Sequence, residues 1–208
     1  MSTQESAPFD LVETIAFDPA EGMPLLEYHL TRMKRSADEL SFAFDRHGAR
    51  NELQAATFRL RARSRVRLLA SRGGALAIEV REHHTWPHPI MQVALVKRPV
   101  LADDWRLRHK TTERSLYRDA LALGSTYEVL MVDDEGYLTE GSFSTLFVER
   151  GERLVTPPLA RGVLPGVLRA SLLEMGEAVE GDVRPYDLER GFFIGNAARG
   201  MVSAQLIR

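Results

Sequence analysis

Apolar positions recur along this chain with both helical and strand periods, and the changes of period mark out its elements. From 11 to 17 the chain reads LVETIAF, a short β-prone run ended by Asp18, Pro19 and Gly22, which predicts a strand and a turn. Between Glu27 and Leu40, the residues Tyr28, Leu30, Met33, Ala37 and Leu40 fall near helical spacing with basic residues between them, the pattern of an amphipathic helix. A second helix is predicted over 51–61, and the runs VRLLA at 66–70 and ALAIEV at 75–80, joined by SRGG, read as a β-hairpin. The polar, proline-interrupted stretch at 81–89 precedes a strand at 91–100. Further on, the pattern predicts a helix beginning close to Thr111, strands at 127–132 and 144–148 flanking the turn DDEG, and a strand at 153–158. GVLPG then feeds a helix, with Pro165 near the position where a missing N–H costs least, and the C-terminal segment supplies two last strands around a Gly-Asn-Ala turn.

Helices alternating with strands and hairpin turns, with no internal repeat, predict an α+β architecture of two mixed α/β lobes. The punctuation of KRPVLADD places a connecting segment at 99–103, between a small lobe of residues 1–98 and a larger lobe of 104–208.

Composition narrows the class. With 44% hydrophobic and 27% charged residues the 208-residue chain can bury a sizeable core and is not a disordered sequence. Lys and Arg total 27 against 29 Asp and Glu, so no basic excess exists to neutralise a nucleic-acid backbone. The absence of cysteine excludes disulfides, thiolate zinc sites and a cysteine nucleophile. The N-terminal MSTQESAPFD lacks the charged and apolar regions of a leader, and no apolar run is long enough for a membrane span, so a soluble, cytoplasmic protein is expected.

Four places carry candidate chemistry. His83, His84 and His88 lie within six residues and invite a metal reading, but adjacent histidines on a strand point to opposite faces, and a solvated polar loop is the preferred reading. The turn-to-helix segment from Gly162 to Arg169 leaves backbone N–H groups free to meet an anion, although helix starts are common and anion sites are not. Lys110, between His109 and Thr111, is a nucleophile only if burial or a neighbouring cation lowers its pKa. Glu140 sits between a strand end and a small-residue turn, where a solvated carboxylate is unremarkable.

Taken in order, Lys110, Glu140 after DDEGYLTEGS, then LVTPPLARGVLPGVLR and GNAARG closely resemble the fold-type IV pyridoxal-phosphate enzymes, the class IV aminotransferase superfamily. LVETIAF and EYHLTRMKRSADEL extend the likeness to the N-terminal lobe, and the HKTT context of the lysine is similar to short aminodeoxychorismate lyase-like members. The resemblance implies pyridoxal 5'-phosphate in the cleft between the lobes. It implies that Lys110 forms the Schiff base with the cofactor and moves protons, and that Glu140 faces the pyridine nitrogen. It further implies that Arg32, the backbone amides of Val167 and Leu168, and Asn196 hold the phosphate. Thr145 stands where relatives often carry Asn, Leu168 where the aminotransferases usually carry Thr, and Tyr117 is a candidate for the cofactor's phenolic oxygen.

The activity implied first is a lyase of folate biosynthesis that converts 4-amino-4-deoxychorismate to 4-aminobenzoate and pyruvate. Two alternatives are a transaminase acting on a small amino acid and a 2-oxo acid, and a cofactor-binding relative without turnover. Either reaction needs cationic partners for substrate carboxylates, for which Arg67, Arg72 and Arg108 are candidates. A homodimer is the family expectation, with no nucleic-acid or membrane partner.

Overall fold

A computed structural model describes residues 9–207, so the leader question at 1–8 lies outside the described residues. The small lobe comprises β1 (Leu11–Phe17), α1 (Leu26–Leu40), α2 (Arg46–Thr57), β2 (Ser64–Ala70) and β3 (Leu76–Glu82). Its three strands form an antiparallel sheet in the order β1-β2-β3, and Leu11, Ile15, Leu30, Met33, Leu53 and Leu68 pack between that sheet and the helices. Helix α2 begins before the predicted position 51, because the Asp45 side chain accepts the His47 amide at 2.9 Å and caps it. His47 and Gly48, both poor helix formers, hide that first turn from a propensity reading.

The large lobe runs through β4 (Ile90–Lys97), α3 (Ser115–Gly124), β5 (Glu128–Val132), β6 (Leu138–Gly141) and β7 (Thr145–Arg150). It continues with β8 (Arg153–Thr156), α4 (Val167–Glu174), β9 (Ala178–Glu180), β10 (Phe192–Asn196) and β11 (Gly200–Leu206). All eight strands join one sheet in the order β6-β5-β4-β11-β10-β7-β8-β9. Strand β4 pairs in parallel with both β5 and β11, so the chain passes from the three-stranded to the eight-stranded sheet within 83–89. The proline-broken polar stretch is the crossing between the sheets, and KRPVLADD leads out of β4.

Three further differences have local causes. The strand that completes the DDEG turn is β6, which pairs with β5, while β7 pairs with β10 and β8. All four β6 residues are buried, so no alternation betrays it. Helix α3 starts at Ser115 rather than near Thr111, because Thr111 forms an isolated bridge with Leu11 of β1. Strand β8 stops at Thr156, before Pro157 and Pro158, neither of which has an amide hydrogen for a ladder.

Candidate active site

The two lobes meet along a cavity of about 240 Å3. Thr14, His29 and Arg32 line it from the small lobe, and Lys110, Glu140 and the start of α4 line it from the large one.

Lys110 is held by the chain on both sides of it. Val12 donates its amide to the Lys110 carbonyl at 3.0 Å, and Thr112 donates to the Asp10 carbonyl at 2.9 Å. Burial pushes the Lys110 ammonium down to about 7, aided by the like charges of Arg114 and Arg32 and opposed by Glu13 and Glu140. Such an amine is a proton acceptor and nucleophile at neutral pH, where an ordinary lysine is neither. The rate at which Lys110 reacts with an aromatic aldehyde should therefore rise through pH 7 and level off by about pH 8. Stopped-flow absorbance checks this, and a rate still climbing at pH 10 would contradict it.

Glu140 stands in β6 with its carboxyl pushed up to about 7 by burial, against the opposing pull of Tyr117, Arg114 and Lys110. The Tyr117 hydroxyl donates to Glu140 Oε1 at 2.9 Å, so this tyrosine is a partner of the glutamate. A carboxyl balanced near neutrality can share a proton with a basic ring nitrogen, the role that the resemblance assigns to it.

Arg32 is aimed by Glu13. On β1 the inward positions read Leu11, Glu13, Ile15 and Phe17, and the one carboxylate among them accepts Arg32 Nε at 2.8 Å and Arg32 Nη2 at 2.5 Å. It also lies 2.6 Å from His29 Nδ1. Burial works to raise the Glu13 pKa, but the Arg32 charge and the His29 hydrogen bond override it and hold the carboxyl at about 2. Arg32 Nη1 reaches the Pro165 carbonyl at 3.1 Å and so lies beside the start of α4. Gly166, the residue before that helix, offers no side-chain cap, and the first amides of α4 have no intrahelical acceptor. A Cβ on Gly166 would fall 2.7 Å from Thr145 Oγ1, so the close approach of this turn to β7 requires glycine.

Pyridoxal phosphate fits these residues. An arginine beside uncapped helix amides suits a phosphate dianion, Lys110 suits an aldehyde, and Glu140 suits the ring nitrogen. His29 Nε2, Arg65 Nε and Arg114 Nη1 are buried polar atoms with no hydrogen-bond partner, and all three residues line this cavity. Buried polar groups of this kind call for a polar ligand.

Lys110, Arg32, Glu140, Val167, Leu168 and Asn196 are all brought to this one cavity. The Asn196 side chain is engaged in holding loops together: Nδ2 donates to the Phe143 carbonyl at 3.2 Å, and Oδ1 accepts the Ala198 and Arg199 amides, each at 3.0 Å. The three arginines proposed for carboxylates lie elsewhere. Arg67 faces its cross-strand partner Glu79 at 2.9 Å, Arg72 donates to the Leu40 carbonyl at 2.9 Å, and Arg108 is exposed. Besides Arg32, the arginines that line the cavity are Arg65, Arg114 and Arg199. Among the histidines, a His83 ring nitrogen lies 2.8 Å from the Ala198 carbonyl and helps to fix the same loop.

Glu13, His29 and Glu128 were not singled out from the sequence, although an acid in the inward register of an apolar strand is a legible signal at 13. Glu128, fully buried at the start of β5, clamps the loop that follows Glu140. Its Oε1 accepts the Ser142 amide at 2.8 Å and the Ser142 hydroxyl at 2.6 Å. Its Oε2 accepts the Phe143 amide at 3.1 Å and the Ser144 hydroxyl at 2.7 Å. Glu128→Gln would turn an amide NH2 toward one of those backbone donors and should destabilise the fold by about 1–3 kcal/mol. Urea unfolding measures this, and an unchanged midpoint would refute the clamp.

Comparison with known proteins decides the family. The model for amino-transferase class IV matches residues 10–207. The chain belongs to the class IV aminotransferases. A candidate aminodeoxychorismate lyase of Schizosaccharomyces pombe is 28% identical over 180 residues, 83% of this chain and 77% of that one. A branched-chain-amino-acid aminotransferase, named as probable, of Thermotoga maritima is 27% identical over 161 residues, 73% of this chain but 58% of its own length. A crystal structure of a candidate amino-acid aminotransferase from Mesorhizobium loti superposes with a TM-score of 0.88 at 32% identity, over 96% of this chain and all of that one. The fold is thus that of the fold-type IV enzymes, and class IV aminotransferases are enzymes that use pyridoxal phosphate.

Proposed function

We propose that this class IV aminotransferase is a lyase that converts 4-amino-4-deoxychorismate to 4-aminobenzoate and pyruvate. The observation that carries the reading is the placement of Lys110, an amine with its pKa near 7, in one cavity with Glu140 and the Arg32 cradle. The lysine context and the likeness to the yeast protein over 83% of the chain favour the lyase.

Pyridoxal phosphate, when bound, supplies the electron sink. Arg32, beside Pro165, and the amides of Val167 and Leu168 at the uncapped start of α4 would hold its phosphate, while Glu140, hydrogen-bonded by Tyr117, would meet its ring nitrogen. Lys110 removes the ring proton of the substrate and returns a proton to the departing enolpyruvyl group, which leaves as pyruvate while the ring becomes aromatic. Asn196 and Thr145 shape the wall around the phosphate end. The protein works as a homodimer in the cytoplasm.

The second reading is transfer of an amino group from a small amino acid to a 2-oxo acid, favoured by the name of the Mesorhizobium loti protein. It uses the same lysine for proton movement. Purified protein with added pyridoxal phosphate is assayed for 4-aminobenzoate by fluorescence and for amino transfer by formation of the new amino acid. Release of 4-aminobenzoate with little transfer supports the lyase, transfer alone supports the second reading, and bound cofactor with neither product refutes both.

A further inference from the structure

Glu128 is fully buried but does not line the cavity, and its partners are all neutral. Besides the donors of Ser142, Phe143 and Ser144, its Oε1 accepts the Val129 amide at 2.8 Å. Both oxygens thus receive backbone N–H groups, which can only donate, so the ionised carboxylate is the form that satisfies the loop. Burial pushes the carboxyl up and these hydrogen bonds pull against it. Gly141 permits the close approach, since a Cβ there would fall 2.9 Å from Glu128 Oε2.

The clamped loop carries two acceptors that reach cavity residues. The Phe143 carbonyl accepts Asn196 Nδ2 at 3.2 Å, and the Ser142 carbonyl accepts Arg114 Nη2 at 2.7 Å. Arg114 also lies 3.7 Å from the centroid of the Tyr117 ring, and the Tyr117 hydroxyl donates to Glu140. Lys110 shares the cavity wall with Arg114, Arg32, His29 and Glu140. The Arg114 and Arg32 charges disfavour its ammonium, whereas Glu13 and Glu140 favour it. The two guanidinium groups are secured differently. Arg32 is gripped by the Glu13 carboxylate, but Arg114 is held by a carbonyl oxygen and an aromatic face. The fixity of that carbonyl therefore decides how much of the Arg114 charge Lys110 feels, because a guanidinium free to turn toward water is screened.

We propose that Glu128 is a positioning residue for the reactive amine: by fixing the Ser142 carbonyl it holds the Arg114 guanidinium in the cavity wall, and so keeps Lys110 an amine at neutral pH. Its influence passes through two links, from carboxylate to loop and from loop to Arg114, with no contact to cofactor or substrate. The inference rests on the proposed role of Lys110 as the reactive amine, and it holds for either of the two reactions.

The test reads the amine directly in the full chain without cofactor. Trace labelling with acetic anhydride across pH 5–10, followed by mass spectrometry of the Lys110 peptide, gives the pH midpoint at which this one amine becomes reactive. The parent should show a midpoint of about 7. In Glu128→Gln it should rise by at least about 0.5 pH unit, as the Arg114 charge is released. Arg114→Gln should raise it at least as far, and adding Glu128→Gln to Arg114→Gln should move it no further than about 0.2 pH unit. A merely structural clamp would lower the urea midpoint of Glu128→Gln and leave the labelling midpoint at the parent's value, and that result overturns the inference. An equal shift with and without Arg114 also overturns it. Should circular dichroism show Glu128→Gln to be unfolded, Ser144→Ala, which removes one hydroxyl of the clamp and leaves the charge, is judged by the direction of its shift and its loss in the Arg114→Gln background. A parent midpoint near 10 refutes the reading of Lys110 itself, whereas a parent midpoint near 7 that Glu128→Gln leaves unmoved refutes the positioning role alone.

Discussion

Lys110→Ala is expected to lower turnover by at least about 10³-fold, because it removes the group that we propose moves the proton and meets the cofactor aldehyde. Neither of the other two lysines can stand in for it: Lys34 pairs with Asp38 on an exposed helix face, and Lys97 is exposed beside Asp134. The effect on stability should have the opposite sign. The folded protein depresses the pKa of Lys110 from 10.5 to about 7, so it disfavours the ammonium that the unfolded chain carries. That penalty is fully present below pH 7 and fades as pH rises toward 10.5. Lys110→Met, which keeps most of the stem volume, should therefore be more stable than the parent at pH 6, with the advantage shrinking at pH 9. Urea unfolding of the two proteins without cofactor measures the difference, and equal midpoints at pH 6 would contradict the burial argument.

Glu13→Gln should be the most destabilising single change near the site. It leaves the Arg32 guanidinium and the His29 ring buried beside a neutral amide, and removing one member of a buried charged pair costs about 3–5 kcal/mol. The pH dependence has a definite sign. Folding lowers the Glu13 pKa from 4.5 to about 2, so the carboxylate contributes stability that is fully present above pH 4.5 and is lost as pH falls toward 2. A shift of that size corresponds to about 3 kcal/mol. The parent should lose that increment between pH 4.5 and 2, and Glu13→Gln should show no matching loss. Because Arg32 is no longer aimed at the start of α4, the variant should also bind pyridoxal phosphate at least about tenfold more weakly. Parallel acid titrations of the two proteins, in which both lost stability equally, would show that Glu13 is not the group responsible.

What the sequence made legible divides along physical lines. β1, α1 and the β2–β3 hairpin obey simple periods because each buries one face, and the turns at Asp133–Gly136 and at Gly195–Arg199 carry glycine and asparagine where the backbone needs them. β6 escaped notice because it is buried on both faces and only four residues long, and β9 because it is three residues long. The parallel pairing of β4 with β5 and β11 was not legible either, because register between strands distant in sequence is not written in either one. Lys110, Glu140 and Arg32 could be named from ordered motifs, whereas choosing Arg65 over Arg67 depends on which arginine has an acid across the strand. That pairing register is not written in the local sequence.

The central claim is that Lys110 is the residue that joins to pyridoxal phosphate. The direct measurement is borohydride reduction of the protein after loading with the cofactor, followed by proteolysis and mass spectrometry of the peptides. Three lysines divide cleanly among peptides, so the site of attachment is unambiguous. The account predicts the cofactor mass on the peptide containing Lys110 and on neither of those containing Lys34 and Lys97. Attachment at Lys34 or Lys97 instead, or no attachment from a protein saturated with cofactor, would contradict it.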